Sequence, residues 1–414
     1  MIAKPVAIYI DARRRNRTGN MSVPQLKRRN VVSKETTSIC GFHLYFALLC
    51  FTFTSTLTTA TEEIKSSCAS DPPFTRDHGG NKPFPVPFKS LVVFGDSYSD
   101  TGNIEWASNH TAFNPTQSWN GRYADGPVWV DYFATYFGLP ELVSKNAEQS
   151  SVMAPIITNF AYGGATTNNS YIKAESTYFA DGDVPAVDIQ VQLYLADRST
   201  VDDTVLHVLF SGYNDYWYYV YRNYTTAAGQ DEGLDLVALT VVRSIVNSMH
   251  ELYGSGARKF MVMKMHDMTK LPEAINHSKK IKDAYTYLIH RHNHYLEEYV
   301  NAFNEKTDET TVYLPSAYIS MECIEKERNS LGFYDTRNAF YGGVDVVYPV
   351  STYRWWDSYH PTTHTHQYLS TSAIQAVFDQ HQIVDNSDRG SSATAKKGAT
   401  KLWLLLLVLS VVAV

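Results

Sequence analysis

The sequence predicts an α/β protein in which helices cover both faces of a parallel sheet. Two observations predict this: short apolar runs bounded by Gly or polar residues recur along the chain, and stretches of helical periodicity separate them. Strands that alternate with helices form parallel sheets buried on both sides. Ligands of such sheets bind beyond the carboxyl ends of the strands, so functional residues are expected at that edge.

The stretch 89–385 carries these elements and is predicted to be one domain, because no repeat or second boundary interrupts it. Strands are predicted at Ser90–Gly95, Ile156–Gly163, Thr204–Gly212, Lys259–Met265 and Thr311–Leu314. Helices are predicted at Pro127–Phe137, Leu234–Tyr253, Ile281–Phe303 and His366–Gln382. A Pro-, Gly- and Ser-rich arm at 61–88 precedes the domain.

The first 60 residues have the layout of a secretory leader. A basic stretch precedes the mostly apolar run Gly41–Leu57, and Thr58–Ala60 supplies the small residues that a signal peptidase prefers. A start at Met21 would leave a leader of more usual length, which makes residues 1–20 a candidate gene-model artefact. The alternative is a retained signal anchor, for which an apolar run under about 18 residues is short.

The segment 386–414 has the three parts of a glycosylphosphatidylinositol (GPI) anchor signal. Small residues at Gly390–Ser392 precede a polar spacer at Ala393–Lys401, and Leu402–Val414 is an apolar tail in which only Ser410 is polar. A transmembrane helix is the alternative, although a tail of 13 residues is short for crossing a bilayer. We therefore expect a mature protein of residues 61–391, tethered to the outer face of the plasma membrane or the cell wall.

The net charge of −6 conceals an acidic body. Without the two ends, 24 basic and 40 acidic side chains remain. Nucleic acids and anionic membranes bind to basic surfaces, so this balance argues against both as partners and leaves a lipid anchor as the membrane contact. A neutral small molecule or oligosaccharide fits better as substrate.

An extracellular location predicts modification of the mature chain. Four sequons fall in it and are candidate glycosylation sites, at Asn109, Asn168, Asn223 and Asn276. Two cysteines remain after the leader, Cys68 and Cys323; they form one disulfide in an oxidising compartment or stay as two buried thiols. No CxxC pair or Cys/His cluster predicts a metal, and we expect no cofactor.

A serine follows the first predicted strand directly. Val92–Gly95 runs into Asp96 and Ser97, which places the Ser97 hydroxyl just past the carboxyl end of the strand. The residues after it, up to Asn103, are expected to begin a helix whose first amides point toward Ser97. A Gly-Asp-Ser tripeptide alone says little, but this position in an α/β chain makes Ser97 a candidate nucleophile.

A serine hydroxyl needs a base to remove its proton, and the base needs a carboxylate to orient it. Asp357 and His360 are three residues apart in one predicted turn, where the carboxylate can hold one imidazole nitrogen while the other faces Ser97. His364 and His366 lie close by, but neither pairs with an acid at this spacing. We expect them to be polar residues at a helix start.

Acyl transfer also needs donors aimed at the oxyanion of the tetrahedral intermediate. Gly163 and Gly164 end a predicted strand, and their backbone amides can approach a substrate closely. Asn214 follows the next strand and offers its side-chain amide. Each feature alone is more often a plain turn, but their order along the chain favours a catalytic site.

These blocks resemble the SGNH or GDSL-type hydrolases, over Val92 to His360. The resemblance implies a three-layer α/β/α flavodoxin-like fold and ester hydrolysis through an acyl-enzyme. It implies Ser97, Asp357 and His360 as the catalytic residues. It also implies an oxyanion hole made of the Ser97 amide, Gly164 (with Gly163 as the off-by-one alternative) and Asn214.

The stretches 119–129 and 162–168 look most like fungal acetylesterases of carbohydrate esterase family sixteen, which deacetylate xylo-oligosaccharides. An acetylesterase that acts on carbohydrate is therefore the leading hypothesis, with Trp355 and Trp356 as substrate-binding residues and Trp129 as a core residue. A lipase or phospholipase acting on longer acyl chains is the alternative, in which the aromatic run Asp215–Tyr221 is either a lid or a packed helix. A catalytically inactive protein that binds the cell wall is a third possibility.

Overall fold

The computed structural model describes residues 86–113, 116–142, 144, 158–174, 182–196, 198, 200–224, 233–343 and 348–390. The predicted leader, most of the arm at 61–88, the proposed disulfide partner Cys68 and the anchor residues from Ser391 onward lie outside them. Cys323 is disulfide-bonded. Within the described residues, no helix combines the length and the apolar character needed to cross a membrane.

Four parallel strands form the central sheet in the order β1-β2-β3-β4: Ser90–Gly95, Val205–Phe210, Lys259–Val262 and Thr311–Tyr313. On the other side of β1, Asn159 forms a parallel bridge with Val93. With Asn159 counted as the second strand along the chain, the order is 2-1-3-4-5, the flavodoxin-like arrangement. The predicted parallel α/β fold is confirmed.

Helices cover the sheet, and two short strands stand apart from it. The helices are α1 (Asn103–Ala107), α2 (Trp129–Phe137), α3 (Val187–Leu195), α4 (Tyr213–Tyr224), α5 (Leu234–Gly254), α6 (Lys279–Lys306), α7 (Ala317–Lys326) and α8 (Thr363–Gly390). The separate two-stranded parallel sheet consists of β5 (Asp335–Ala339) and β6 (Tyr353–Trp355).

The alternation of side chains along β1 explains the three layers. Leu91 and Val93 point to a core shared with α2, α7 and α8, whereas Val92 and Phe94 point to a core shared with α3 and α5. Successive side chains of a strand face opposite sides of the sheet, so an apolar run in β1 requires helices on both faces. Trp129 of α2 is fully buried in the first core, as predicted.

The predicted elements differ from the structure mainly where the chain turns near the sheet edge. Of the strand predicted at Ile156–Gly163, the described residues from Thr158 run parallel to β1: Asn159 bridges Val93, and three backbone hydrogen bonds of 2.8–3.2 Å join the segment to β1 before the chain turns at Gly164, which has a φ of 83°. The aromatic run Asp215–Tyr221 belongs to α4, a packed helix in which Tyr216 and Val220 are buried. The helix expected from His366 begins at Thr363.

The four candidate glycosylation sites differ in exposure. Asn109 and Asn276 are exposed, whereas Asn168 and Asn223 are half-buried. The side-chain amide of Asn223, to which a glycan would be attached, also donates a hydrogen bond of 2.7 Å to the Tyr219 carbonyl. A glycan is therefore accommodated most easily at Asn109 and Asn276.

Candidate active site

The turn that presents Ser97 is anchored to the end of β1. Gln190 of α3 binds both backbone polar groups of Gly95, accepting from its N–H and donating to its carbonyl, each at 2.8 Å. A Cβ at Gly95 would lie 2.4 Å from the Phe210 carbonyl oxygen, so only glycine allows β1 and β2 to approach this closely. The Ser97 side chain consequently sits at the carboxyl edge of the sheet, where the sequence predicts the site.

Asp100 holds the rest of this turn. Its buried carboxylate accepts hydrogen bonds from the amides of Gly102, Asn103 and Ile104 at 2.6–3.2 Å and from the amide of Gly163 at 2.8 Å. Burial raises the pKa of Asp100 to about 6, while the four amide bonds act in the opposite direction. The expectation that the first amides of the helix point toward Ser97 is wrong, because the Asp100 carboxylate binds them.

Ser97, His360 and Asp357 form a continuous line of hydrogen bonds. The Ser97 Oγ lies 2.8 Å from His360 Nε2, and His360 Nδ1 lies 2.8 and 2.9 Å from the two carboxylate oxygens of Asp357. This contact leaves Nε2 free to accept the Ser97 proton when Nδ1 carries the ring hydrogen. The structure thus brings together the three residues that the sequence selects.

The charge of Asp357 suits the role of orienting carboxylate. Its Oδ1 also accepts hydrogen bonds from the amides of Tyr359 and His360, at 2.8 and 2.7 Å. Burial acts to raise the pKa of Asp357, but the adjacent His360 and these hydrogen bonds outweigh it and hold the pKa below its ordinary value. Asp357 is therefore ionised at neutral pH.

The two neighbouring histidines have other contacts. His364 Nδ1 bonds to the Ser351 carbonyl, and the His364 ring stacks on Phe333. His366 is buried and its Nδ1 accepts from the Trp129 amide at 3.3 Å; burial lowers its pKa to about 3. Both lie at the start of α8, where the sequence places them.

The two adjacent glycines near the site differ in what surrounds them. The Gly163 amide already donates to Asp100, and a Cβ at this position would lie 2.1 Å from the Tyr123 hydroxyl. Gly164 has a φ of 83°, and a Cβ there would meet nothing within 4 Å. Of the two, Gly164 is therefore the better candidate for an amide that faces a substrate.

Asn214 packs against the same glycine loop. Its Nδ2 donates one hydrogen bond of 2.9 Å to the Ala165 carbonyl, which leaves a second N–H on that nitrogen. The next residue, Asp215, is buried and accepts from both the amide and the hydroxyl of Thr167, at 2.8–3.2 Å. Burial raises the pKa of Asp215 to about 7. Asp215 thus fixes the glycine loop to α4.

The prediction that Trp355 binds substrate is corrected by its burial. Trp355 has no exposed surface, and its indole N–H donates to the Thr336 carbonyl at 3.2 Å, so neither ring face is open to a sugar. Trp356 is 7% exposed; it stacks on Phe340, and its N–H donates to the Gln117 carbonyl. Both rings help to pack the chain around Asp357.

Other aromatic residues lie around the site, and two of them, Tyr123 and Tyr359, were not selected from the sequence. The Tyr123 ring centroid lies 4.7 Å from that of His360, and its hydroxyl lies against Gly163. Trp217 stacks on Tyr221 at 5.3 Å and meets Tyr359 edge-on at 6.3 Å. The signals that could have identified them are the place of Tyr123 inside the 119–129 stretch and the place of Tyr359 beside His360.

Comparisons with known proteins find a matching family model and several relatives. Residues 91–372 match the family model described as GDSL-like Lipase/Acylhydrolase. A thermolabile hemolysin of Vibrio parahaemolyticus is 24% identical over 70% of this chain and 64% of its own length, and a GDSL esterase/lipase of Arabidopsis thaliana is 24% identical over 75% and 90%.

A phosphatidylcholine-sterol acyltransferase of Aeromonas hydrophila is 25% identical over 64% of this chain and 69% of its own length. Among solved structures, a lipolytic G-D-S-L family protein from Veillonella parvula aligns over 69% of this chain and 96% of its own, with 11% identity and a TM-score of 0.35.

Proposed function

The chain belongs to the GDSL-like lipase/acylhydrolase family, and on that premise we propose that it is an extracellular serine esterase that removes acetyl groups from carbohydrate. The observation that carries the chemistry is the unbroken line from Ser97 Oγ through His360 to Asp357, with both contacts of His360 at 2.8 Å. A serine activated in this way attacks the carbonyl carbon of an ester.

In the proposed reaction, His360 Nε2 takes the Ser97 proton as Oγ bonds to the carbonyl carbon of the ester. Asp357 stabilises the imidazolium that forms. The carbonyl oxygen becomes an oxyanion, which we assign to the amides of Ser97 and Gly164 and the second N–H of Asn214. His360 then protonates the departing alcohol, and a water molecule, deprotonated by His360, cleaves the acyl-enzyme and regenerates Ser97.

The residues around His360 support a substrate with a short acyl group on a neutral sugar. The Tyr123 ring narrows the space between His360 and Gly163, which favours a small ester group. Half-buried Trp217 offers an indole for stacking on a sugar ring, and the acidic body disfavours anionic substrates. The resemblance of stretches 119–129 and 162–168 to fungal acetylesterases points to the same class.

The second candidate is a lipase or phospholipase. The names of the relatives include an esterase/lipase and a phosphatidylcholine-sterol acyltransferase. On the molecule itself, the stacked pair of Trp217 and Tyr221 supports this candidate, because Tyr221 is 57% exposed and a pair of rings beside the site suits an acyl chain as well as a sugar.

The location outside the cell is part of the proposal. The leader at 1–60 and the anchor signal at 386–414 support it, together with two exposed sequons, Asn109 and Asn276. Digestion of intact cells with a phosphatidylinositol-specific phospholipase would release the protein. Retention on the cells after digestion would count against the GPI anchor.

The test of function uses the full chain and its Ser97→Ala variant on four esters: aryl acetate, aryl octanoate, acetylated xylo-oligosaccharide and phosphatidylcholine vesicles. We expect the acetates to be hydrolysed fastest and Ser97→Ala to lose at least about a thousandfold in kcat. Ser330→Ala, a change at an exposed serine, is the control. Preference for octanoate or phosphatidylcholine would favour the lipase, and no hydrolysis of any ester would refute the esterase.

A further inference from the structure

Three tyrosines, each next to a site residue in sequence, are linked around His266: Tyr98 and Tyr213 contact it, and Tyr98 binds Tyr359. Tyr98 follows Ser97, Tyr213 precedes Asn214 and Tyr359 precedes His360. His266 lies four residues beyond the end of β3 and has no exposed surface. None of these four residues takes part in the proposed reaction, yet the three tyrosines belong to the segments that supply Ser97, Asn214 and His360.

The contacts are short and buried. The Tyr98 hydroxyl lies 2.7 Å from His266 Nε2 and 3.0 Å from the Tyr359 carbonyl oxygen. The His266 amide donates to the Tyr213 hydroxyl at 2.8 Å. The rings of Tyr98 and Tyr213 stack at 4.9 Å, and the His266 ring lies 4.8 Å from that of Tyr213.

The positions of the hydrogens follow from which groups can donate a hydrogen bond and which can only accept one. A carbonyl only accepts, so the Tyr98 hydroxyl donates its single hydrogen to Tyr359. Burial lowers the pKa of His266 to about 4, so the ring is neutral and has one N–H. Three contacts share two hydrogens: Tyr98 with Nε2 at 2.7 Å, Tyr98 with the Tyr359 carbonyl at 3.0 Å, and Nδ1 with the Asp267 carbonyl at 3.2 Å. A hydrogen on Nε2 satisfies the two shorter contacts. We assign the hydrogen to Nε2.

We propose that His266 is a positioning residue, which donates from Nε2 to the Tyr98 hydroxyl so that this hydroxyl holds the Tyr359 carbonyl and thereby aims His360 at Ser97. Tyr359 lies between Asp357 and His360, so fixing its carbonyl fixes the turn that carries the base. A reacting group that is displaced by about 1 Å loses about a hundredfold in rate, so partial loosening of this turn is expected to cost about tenfold.

The inference rests on the proposed esterase activity, and its first test is Tyr98→Phe in the full chain with aryl acetate as substrate. This change keeps the ring that stacks on Tyr213 and removes only the hydroxyl. We expect kcat to fall about tenfold and KM to change less than twofold, because the hydroxyl acts on the base and does not touch the substrate. Tyr194→Phe is the matched control, since Tyr194 is also buried and its hydroxyl lies 3.3 Å from His207 Nε2, away from the site.

His266 variants test whether the two residues act as one unit. His266→Phe removes the donor and is expected to lower kcat about as much as Tyr98→Phe, with no further loss in the double variant. His266→Gln retains an N–H for Tyr98 and is expected to keep most of the wild-type kcat. Nitrogen NMR of the imidazole should find the His266 hydrogen on Nε2.

The outcomes are distinguishable. If wild type hydrolyses no ester, the proposed function and this inference both fail. If wild type is active and Tyr98→Phe retains kcat within twofold, or loses no more than Tyr194→Phe, only the inference fails. Additive losses in the double variant, or a ring hydrogen on Nδ1, would also overturn it.

Discussion

The nucleophile turn, residues 95–103, and the acid–base loop, residues 356–361, meet at the bond between Ser97 and His360 but are held in different ways. Buried side chains hold the nucleophile turn from several directions: Asp100 accepts from four amides, and Gln190 forms two bonds with Gly95. Asn159 adds a bond to the Ser99 carbonyl at 2.8 Å.

The acid–base loop is held mostly by itself. Its backbone closes through the amides of Trp356 and Asp357, which both donate to the His360 carbonyl, and Asp357 binds the amides of Tyr359 and His360. Two hydrogen bonds from outside the loop also hold it: the Glu273 amide donates to the Ser358 carbonyl, and the Tyr98 hydroxyl donates to the Tyr359 carbonyl. Removing the buried anchor Asp100 from the nucleophile turn should therefore lower stability, whereas removing the charge of Asp357 from the loop should lower activity.

The largest effect is expected from Asp357→Asn in the acid–base loop. An asparagine can still accept from the two backbone amides, but its NH2 group favours the wrong ring tautomer of His360. We expect kcat on aryl acetate to fall about a thousand- to ten-thousandfold, with the free energy of unfolding changed by less than about 1 kcal/mol.

The control is Asp335→Asn, because Asp335 accepts from the amides of Arg337 and Asn338 in a similar turn outside the site. It should leave kcat unchanged. A loss of stability in Asp357→Asn as large as its loss of transition-state stabilisation would contradict the distinction between the two regions.

The next effect is expected from Asp100→Ala in the nucleophile turn. Four buried amides lose their acceptor, and each unsatisfied group costs about 1–3 kcal/mol, so we expect the free energy of unfolding to fall by about 3 kcal/mol or more. Chemical denaturation measures this change. Asp188→Ala is the comparison: the half-buried Asp188 accepts only from the Ile189 amide among its described contacts, and its loss should cost under about 1 kcal/mol. Equal losses would mean that Asp100 is not the main support of the turn.

The smallest expected effect is on the pH dependence of stability, and it comes from His207 in β2, the strand beside β1. His207 of β2 pairs in register with Val92, and burial lowers its pKa to about 4. Below pH 6.5 the unfolded chain takes up a proton at His207 that the folded protein does not, so the folded state loses stability as the pH falls toward 4.

His207→Phe keeps an aromatic ring between Tyr194 and Phe260 and removes this titration. On acidification from pH 7 to pH 5, we expect the variant to lose about 2 kcal/mol less stability than wild type. Asp357 has a lowered pKa and stays ionised over the same range, so its carboxylate adds nothing to this pH dependence. Parallel stability curves for wild type and variant would contradict the expectation.

Local patterns predicted the fold well where one segment determines the outcome. The apolar run of β1 is observed with the predicted bounds, because its alternation and its terminal glycine are both local signals. The end of the segment predicted as a strand at Ile156–Gly163 is shaped by the Asp100 carboxylate, which binds the Gly163 amide, and by the Tyr123 ring, which lies against Gly163. Both partners lie far away in sequence.

The site residues divide in the same way, into those indicated by a local pattern and those that depend on partners distant in sequence. The three-residue spacing of Asp357 and His360 is local, and the sequence identified it. The difference between Gly163 and Gly164 depends on Asp100, 63 residues away, and the burial of Trp355 depends on β5. His266 meets Tyr98 across 168 residues, and no local pattern indicates such a contact.

The most direct test of the central claim is to label the full chain with a fluorophosphonate, which reacts with activated serines, and to locate the adduct by peptide mass spectrometry. We predict one adduct, on Ser97, which is absent from Ser97→Ala and retained in Ser99→Ala, since the Ser99 hydroxyl is buried and bonded to the Trp129 indole. Full labelling of Ser97→Ala, or an adduct on another serine, would contradict the assignment of Ser97 as the nucleophile.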